Sequence, residues 1–247
     1  MHVIIAETGF GPVSFFGDAL NSGDDFFISA NSPLESVKIV FFFDSRGISA
    51  GDWESSLLKM LTQHFSAIPY LAIGRPLELT IWATVYNFFQ LNKIRPEVLI
   101  TNMGLVDCTP KKQALCQSMK EQIDIAGGAE VQELEKWTLS NGAYESLCTI
   151  NYSETYLSKL KGLLDSMKVV LIKSPIVEPS IKIERIRPPS FFSQLNKTNQ
   201  LIDELGCPTV ELGVFGRELT YDAVHWTEQG NRFVFARFIE MYEKINK

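Results

Sequence analysis

Two short stretches of this chain hold residue types and spacings that could do chemistry. In "FFFDSRGISAG", residues 41–51, three phenylalanines stop abruptly at Asp44-Ser45-Arg46-Gly47. In "YDAVHWTEQGNRFVFARF", Asp222 stands three residues before His225, just ahead of a helical pattern. A serine hydroxyl becomes a nucleophile when a base takes its proton, and imidazole titrates near neutrality. The imidazole needs a partner on its other nitrogen to fix tautomer and orientation. An aspartate three residues earlier can fold back in a tight turn and supply it. The chain has three histidines. His2 is at the terminus and His64 falls on a helical pattern, which leaves His225 as the candidate base in a loop before a helix. Blander readings stand beside these: Ser45 as a turn residue after a strand, Asp222 as a turn cap, His225 as a packed aromatic.

Such groups need a scaffold that brings distant segments together. Continuous apolar runs read as buried strands at "VKIVFFF" (core 38–43), "PYLAI" (69–73), "EVLIT" (97–101), "KVVLIK" (168–173) and "PTVEL" (208–212). Helical periodicity is read over 52–65, with Asp52 placed to cap it, and over 77–93, 110–125, 128–140, 154–167, 190–205 and 227–245. Strand and helix alternate, and the strands are unbroken apolar runs. That predicts an α/β fold: a five-stranded parallel sheet between helical layers, a three-layer α/β/α sandwich of flavodoxin-like type. Residues 1–36 fall outside the alternation. "HVIIA" and "FFISA", around the turn-rich "GDALNSGDD", predict a small N-terminal β-hairpin extension packed on a main domain of residues 37–247. In such a sheet ligands bind outside the carboxyl ends of the strands. Asp44-Ser45 is at such an end.

Composition bounds the rest. The 247 residues are 45% hydrophobic and 21% charged, enough for a substantial core. Net charge is −6 with no block of like charge, which disfavours a nucleic-acid or anionic-membrane surface. The four cysteines, Cys108, Cys116, Cys148 and Cys207, form no C-x-x-C pair, so reduced thiols are expected. No signal peptide and no membrane-spanning run is read, and a cytoplasmic location is expected. There is no GxGxxG, no P-loop and no histidine-rich cluster, so neither cofactor nor metal is expected.

Taken together the two stretches resemble the SGNH/GDSL hydrolase family. Its first block, Gly-Asp-Ser, is matched by Phe43-Asp44-Ser45; its last, Asp-x-x-His before Leu/Trp-Thr-x-x-Gly, by Asp222 to Gly230. The glycine after the second strand matches Gly74 in "YLAIGRP", and the third block, Gly-x-Asn-Asp, is matched by Gly104-Leu105-Val106-Asp107. The resemblance covers about 38–245. It implies a catalytic set of Ser45, His225 and Asp222, with the Ser45 and Gly74 amides in an oxyanion hole. Two departures stand out. Phe43 replaces the first-block glycine, and Val106 stands where the family has an asparagine donor. Asn102, two residues before Gly104, is the alternative donor.

The resemblance implies a serine esterase acting through an acyl-enzyme on an ester of a small molecule or glycan, with an O-acetyl group on a carbohydrate as one substrate class. Acyl transfer to a sugar hydroxyl and a non-catalytic glycan- or partner-binding domain are the alternatives. Arg46 and Arg75 follow strand ends and Arg185 and Arg187 lie in the proline-rich stretch 174–190. They are candidate substrate-binding cations for a carboxylate or phosphate, or solvated surface arginines.

Overall fold

The computed structural model describes residues 3–5, 26–51, 54–74, 94–102, 111–114, 116–117, 120, 129–138, 144–152, 155, 158, 161–162, 164–177, 189–221 and 224–246. The strands are β1 (Val3–Ile5), β2 (Phe26–Ala30), β3 (Ile39–Phe43), β4 (Tyr70–Gly74), β5 (Val98–Thr101), β6 (Lys111–Lys112), β7 (Ala129–Thr138), β8 (Tyr144–Tyr152), β9 (Lys168–Ile172), β10 (Ile176–Val177), β11 (Thr209–Val210) and β12 (Val214–Phe215). The helices whose bounds are described are α1 (Leu57–His64), α2 (Pro189–Glu204) and α3 (Glu228–Ile245).

A seven-stranded sheet in the order β1-β2-β4-β3-β5-β9-β11 forms the centre. Its five strands from β4 to β11 are all parallel. They fall at the five predicted runs. β3 shows why. All five of its residues are buried, with Phe41, Phe42 and Phe43 fully closed to solvent. A strand buried on both faces has no polar side to alternate with. Each phenylalanine contributes about 1.5–3 kcal/mol through burial.

Alternate residues of β3 serve two faces. Ile39, Phe41 and Phe43 join Leu57, Leu58 and Leu61 of α1 and Val234 and Phe238 of α3 in one core cluster. Phe65, just past α1, locks the two helices to the sheet, with ring centroids 5.6 Å from Phe41, 6.1 Å from Phe238 and 5.0 Å from Tyr242. On the opposite face Val40, Phe42, Leu71, Ile73, Leu99 and Leu171 are equally closed to solvent. Both faces of the sheet are therefore covered, as an α/β sandwich requires.

Four expectations are corrected. β1 and β2 extend the main sheet at its β4 edge and pair in parallel, Val3 with Phe26, so they form no hairpin. The twenty residues between Ile5 and Phe26 are long enough for the crossover that parallel pairing needs. β2 then joins β4 antiparallel, Phe27 opposite Gly74. Secondly, α1 starts at Leu57 and is capped by Ser56, whose side chain accepts from the Lys59 N–H at 3.1 Å; Asp52 lies outside the described residues. Thirdly, within the run 128–140 read as helical, Ala129–Thr138 is strand. β7 pairs antiparallel with β8, a strand the sequence reading did not assign. A one-residue bulge lies between Glu133 and Lys136, which oppose Cys148 and Ser146. Across a bulge, residues three apart return to the same face, and that spacing imitates a helix. Fourthly, Lys111–Lys112 pairs with β8 as β6, so the helical backbone predicted from 110 is found only from 113 on. The helix predicted over 77–93 lies outside the described residues.

Lys173 closes the end of β9. Its ammonium pairs with Asp203 of α2 and Glu211 beyond β11, both at 2.5 Å. Burial alone would lower its pKa, but hydrogen bonds to the two carboxylates outweigh that and hold it above the ordinary lysine value.

Candidate active site

β3 ends at Phe43 on the carboxyl edge of the sheet, and the chain turns at once into a short 3₁₀ segment, Ser45–Gly51. The Gly47 N–H closes the turn on the Asp44 carbonyl at 3.0 Å. A β-carbon on Gly47 would stand 2.4 Å from Phe43 Cβ and 2.9 Å from its Cγ. Only a glycine lets the turn lie this flat on the last phenylalanine of the strand. The abrupt stop in "FFFDSRG" therefore has a structural cause. Ser45 emerges half-buried between two buried neighbours, Asp44 and Arg46.

The second stretch is folded with equal care. Thr220 and Trp226 form an antiparallel bridge. The Thr220 hydroxyl donates to the His225 carbonyl at 2.8 Å, and the Thr227 N–H to Leu219 O at 3.0 Å. Thr227 then caps α3, its hydroxyl accepting from the Gly230 N–H at 3.0 Å. Trp226 is buried in the core and anchors the loop. Gly230 is confined here: a β-carbon would sit 2.1 Å from Leu219 O. Gly230→Ala is expected to push helix and loop apart and lower stability by about 1–3 kcal/mol, read as a shift of the urea midpoint.

These two constructions bring together residues 180 positions apart: Ser45 Oγ lies 2.9 Å from His225 Nε2. That is hydrogen-bond distance, within the reach a nucleophile and its base require. The Tyr221 ring stacks on the imidazole, centroids 5.8 Å apart and planes at 12°. Asp222 lies outside the described residues. Gly74 is the last residue of β4, opposite Phe43 in the register, at the same carboxyl edge as Ser45.

Two candidates take different places from those expected. Arg46 is no rim cation. It has no solvent exposure and is clasped by Asp44: Nε donates to Oδ1 at 3.0 Å and Oδ2 at 3.1 Å, and Nη2 to Oδ2 at 2.7 Å. Nη1 also donates to Ser174 Oγ at 2.9 Å and Nη2 to Asn102 O at 2.7 Å. A guanidinium so enclosed has no surface to offer a substrate. Asn102, the alternative oxyanion donor, is also fully buried. Its Oδ1 accepts from the Asp44 N–H at 3.0 Å and its Nδ2 donates to Asp44 Oδ1 at 2.9 Å. Its amide holds Asp44 and shows no surface to a bound ester. Arg75, Arg185, Arg187, Gly104 and Val106 lie outside the described residues.

The sequence reading gave Ser174 no role and matched Trp226 only as part of the last block. Both belong to the same buried unit, with Arg46 Cζ 5.6 Å from the centroid of the Trp226 ring. The available signal was an acid and a base two residues apart at a strand end, a spacing at which they pair rather than face water. Among the described residues no group of three or more His, Cys, Asp or Glu could hold a metal ion. No described helix is long and apolar enough to cross a membrane.

Neither a protein-family model nor a curated protein matches this sequence. Solved structures do. An acetyl xylan esterase matches at 17% identity and TM-score 0.44, over 83% of this chain and 98% of its own. An aryl esterase from M. smegmatis matches at 13% identity and TM-score 0.45, over 84% and 99%. A carbohydrate esterase family 2 enzyme with a carbohydrate-binding domain, from Corynascus thermopiles, matches at 8% and 0.47, over 88% and 69%. At these identities and scores the likeness says nothing about what this chain acts on. What the chain's own structure establishes is an α/β sheet with five parallel strands, a serine at the carboxyl end of β3 and a histidine before α3 that meet at 2.9 Å.

Proposed function

We propose that the chain is a divergent serine esterase of the SGNH/GDSL type, acting on small esters through an acyl-enzyme. The observation that carries this reading is the 2.9 Å approach of Ser45 Oγ to His225 Nε2 at the carboxyl edge of a parallel sheet. His225 Nε2 takes the Ser45 proton as Oγ attacks the ester carbonyl. The tetrahedral intermediate collapses, His225 gives the proton to the departing alkoxide, and the acyl group stays on Ser45. Water then repeats the sequence: its proton goes to His225, its oxygen attacks the acyl carbon, and the proton returns to Ser45 as the acid leaves. For Nε2 to act as acceptor, Nδ1 must carry its hydrogen. Asp222 is the group assigned to hold it.

The backbone amides of Ser45 and Gly74 are assigned to the oxyanion. With Asn102 committed to Asp44, no side-chain amide from that residue joins them. Val106 occupies the family's third donor position, and a missing donor of this kind costs about 100- to 1,000-fold in rate. The protein is therefore expected to be slow on simple esters, and Val106→Asn to raise its turnover. The test is a panel of aryl esters from acetyl to longer acyl chains, with an O-acetylated carbohydrate alongside. Hydrolysis falling with chain length, and acetate released from the carbohydrate, is the expected result. No hydrolysis of any member by wild type or Val106→Asn overturns the reading.

A further inference from the structure

We propose that Arg46 is a positioning residue which, without meeting substrate, sets the approach of Ser45 to His225. This rests on the reading of those two as the reacting pair. Arg46 follows Ser45 in the chain, and its partner Asp44 precedes it, so the ion pair grips Ser45 from both sides. The Arg46 N–H also donates to Asp44 Oδ1 at 2.9 Å, closing a small ring around the serine backbone. On the other flank, the Arg46 guanidinium stands over the ring of Trp226, the residue after His225, within the range of a cation–π contact. Its outer hydrogens fix the ends of two neighbouring strands through Asn102 O and Ser174 Oγ. Ser174 is itself held by Asn199 of α2, whose Nδ2 donates to Ser174 O at 3.0 Å.

Stability alone does not explain such a device. Replacing a buried ion pair by apolar side chains is often neutral or stabilising, whereas a fixed fork of donors imposes one geometry. Geometry is what this pair of segments needs, because they come from opposite ends of the chain. A misplacement of about 1 Å between reacting groups costs about 100-fold in rate. A lysine keeps the charge but offers a single point where the guanidinium reaches Asp44, Asn102 and Ser174 at once.

The test compares Arg46→Lys and Ser174→Ala with Phe238→Leu, a core change away from the site that provides a matched loss of thermal stability. Arg46→Lys is expected to lower kcat on an aryl ester about 10- to 100-fold with KM within about threefold, while Phe238→Leu leaves both near wild type. Side-chain ¹⁵N–¹H spectra supply a readout independent of turnover. The His225 ring signals should move in Arg46→Lys, and those of His64, which packs against Phe65 and Phe235, should not. A kcat within threefold of wild type, or no lower than that of Phe238→Leu at equal loss of stability, overturns the proposal. If wild type hydrolyses no ester, the reading of the reacting pair has failed, and the spectra decide the positioning claim: moved His225 signals support it and unmoved ones overturn it. Should Arg46→Lys not fold, Ser174→Ala removes only the Nη1 acceptor. It is then expected to lower kcat about threefold at constant KM and to shift the same signals, and a variant indistinguishable from wild type overturns the claim.

Discussion

Ser45→Ala is expected to lower the turnover of any ester substrate by about 10⁴- to 10⁶-fold while leaving the fold intact. The substitution deletes one oxygen from a half-buried position. The hydrogen bond it removes, to His225 Nε2, contributes on the order of 1 kcal/mol to stability, so the melting curve should barely move. The loss of rate is large because no other group can form the acyl-enzyme. His225→Ala should fall into the same range, since an unactivated hydroxyl is a weak nucleophile. The double variant should be little worse than either single one, because the two residues act as a unit. Asp222→Asn should leave a trace of activity by misorienting the imidazole. The measurement is single-turnover and steady-state kinetics on the best aryl ester. A Ser45→Ala preparation as fast as wild type would remove Ser45 from the chemistry.

Arg46→Ala carries the largest expected effect on stability. It leaves the Asp44 carboxylate, 1% exposed, with its charge uncompensated, and empties the space over Trp226. Breaking a buried pair by removing one partner costs about 3–5 kcal/mol, a large part of the 5–15 kcal/mol that holds a typical domain together. Asp44→Ala is expected to cost a similar amount, because it strands the guanidinium instead. Removing both should cost less than the sum of the two, since neither charge is then left alone. Urea unfolding of the four proteins reads this directly. Additive losses would mean that the pair is not coupled as its geometry requires.

Much of the sheet was legible because its strands are buried on both faces. "VFFF", "YLAI" and "KVVLI" have no polar side, and few other structures accept such runs between helical patterns. Pairing partners were less legible. Nothing in "HVIIA" itself says whether it meets "FFISA" in parallel or as a hairpin; the length of the intervening chain decides. The bulge in β7 disguised a strand as a helix, because a local pattern was read where a long-range partner, β8, held the answer. At the site, Ser45 and His225 stood out because nucleophile and base chemistry restricts residue type. Arg46 did not, because a charge argues for solvent until its partners are known. Its charged partner Asp44 is two residues away, but the groups that complete its enclosure, Asn102 and Ser174, lie 56 and 128 residues away. Gly47 and Gly230 carry their reasons only in three dimensions, in the contacts with Phe43 and Leu219 that a side chain would violate.

The most direct measurement is covalent. A fluorophosphonate probe reacts with an activated serine, and peptide mass spectrometry reports which one. Treatment of the whole protein with a small fluorophosphonate should give a single adduct, on Ser45, formed much more slowly in His225→Ala. An adduct on another serine, no adduct at all, or equal labelling of wild type and His225→Ala would contradict the account.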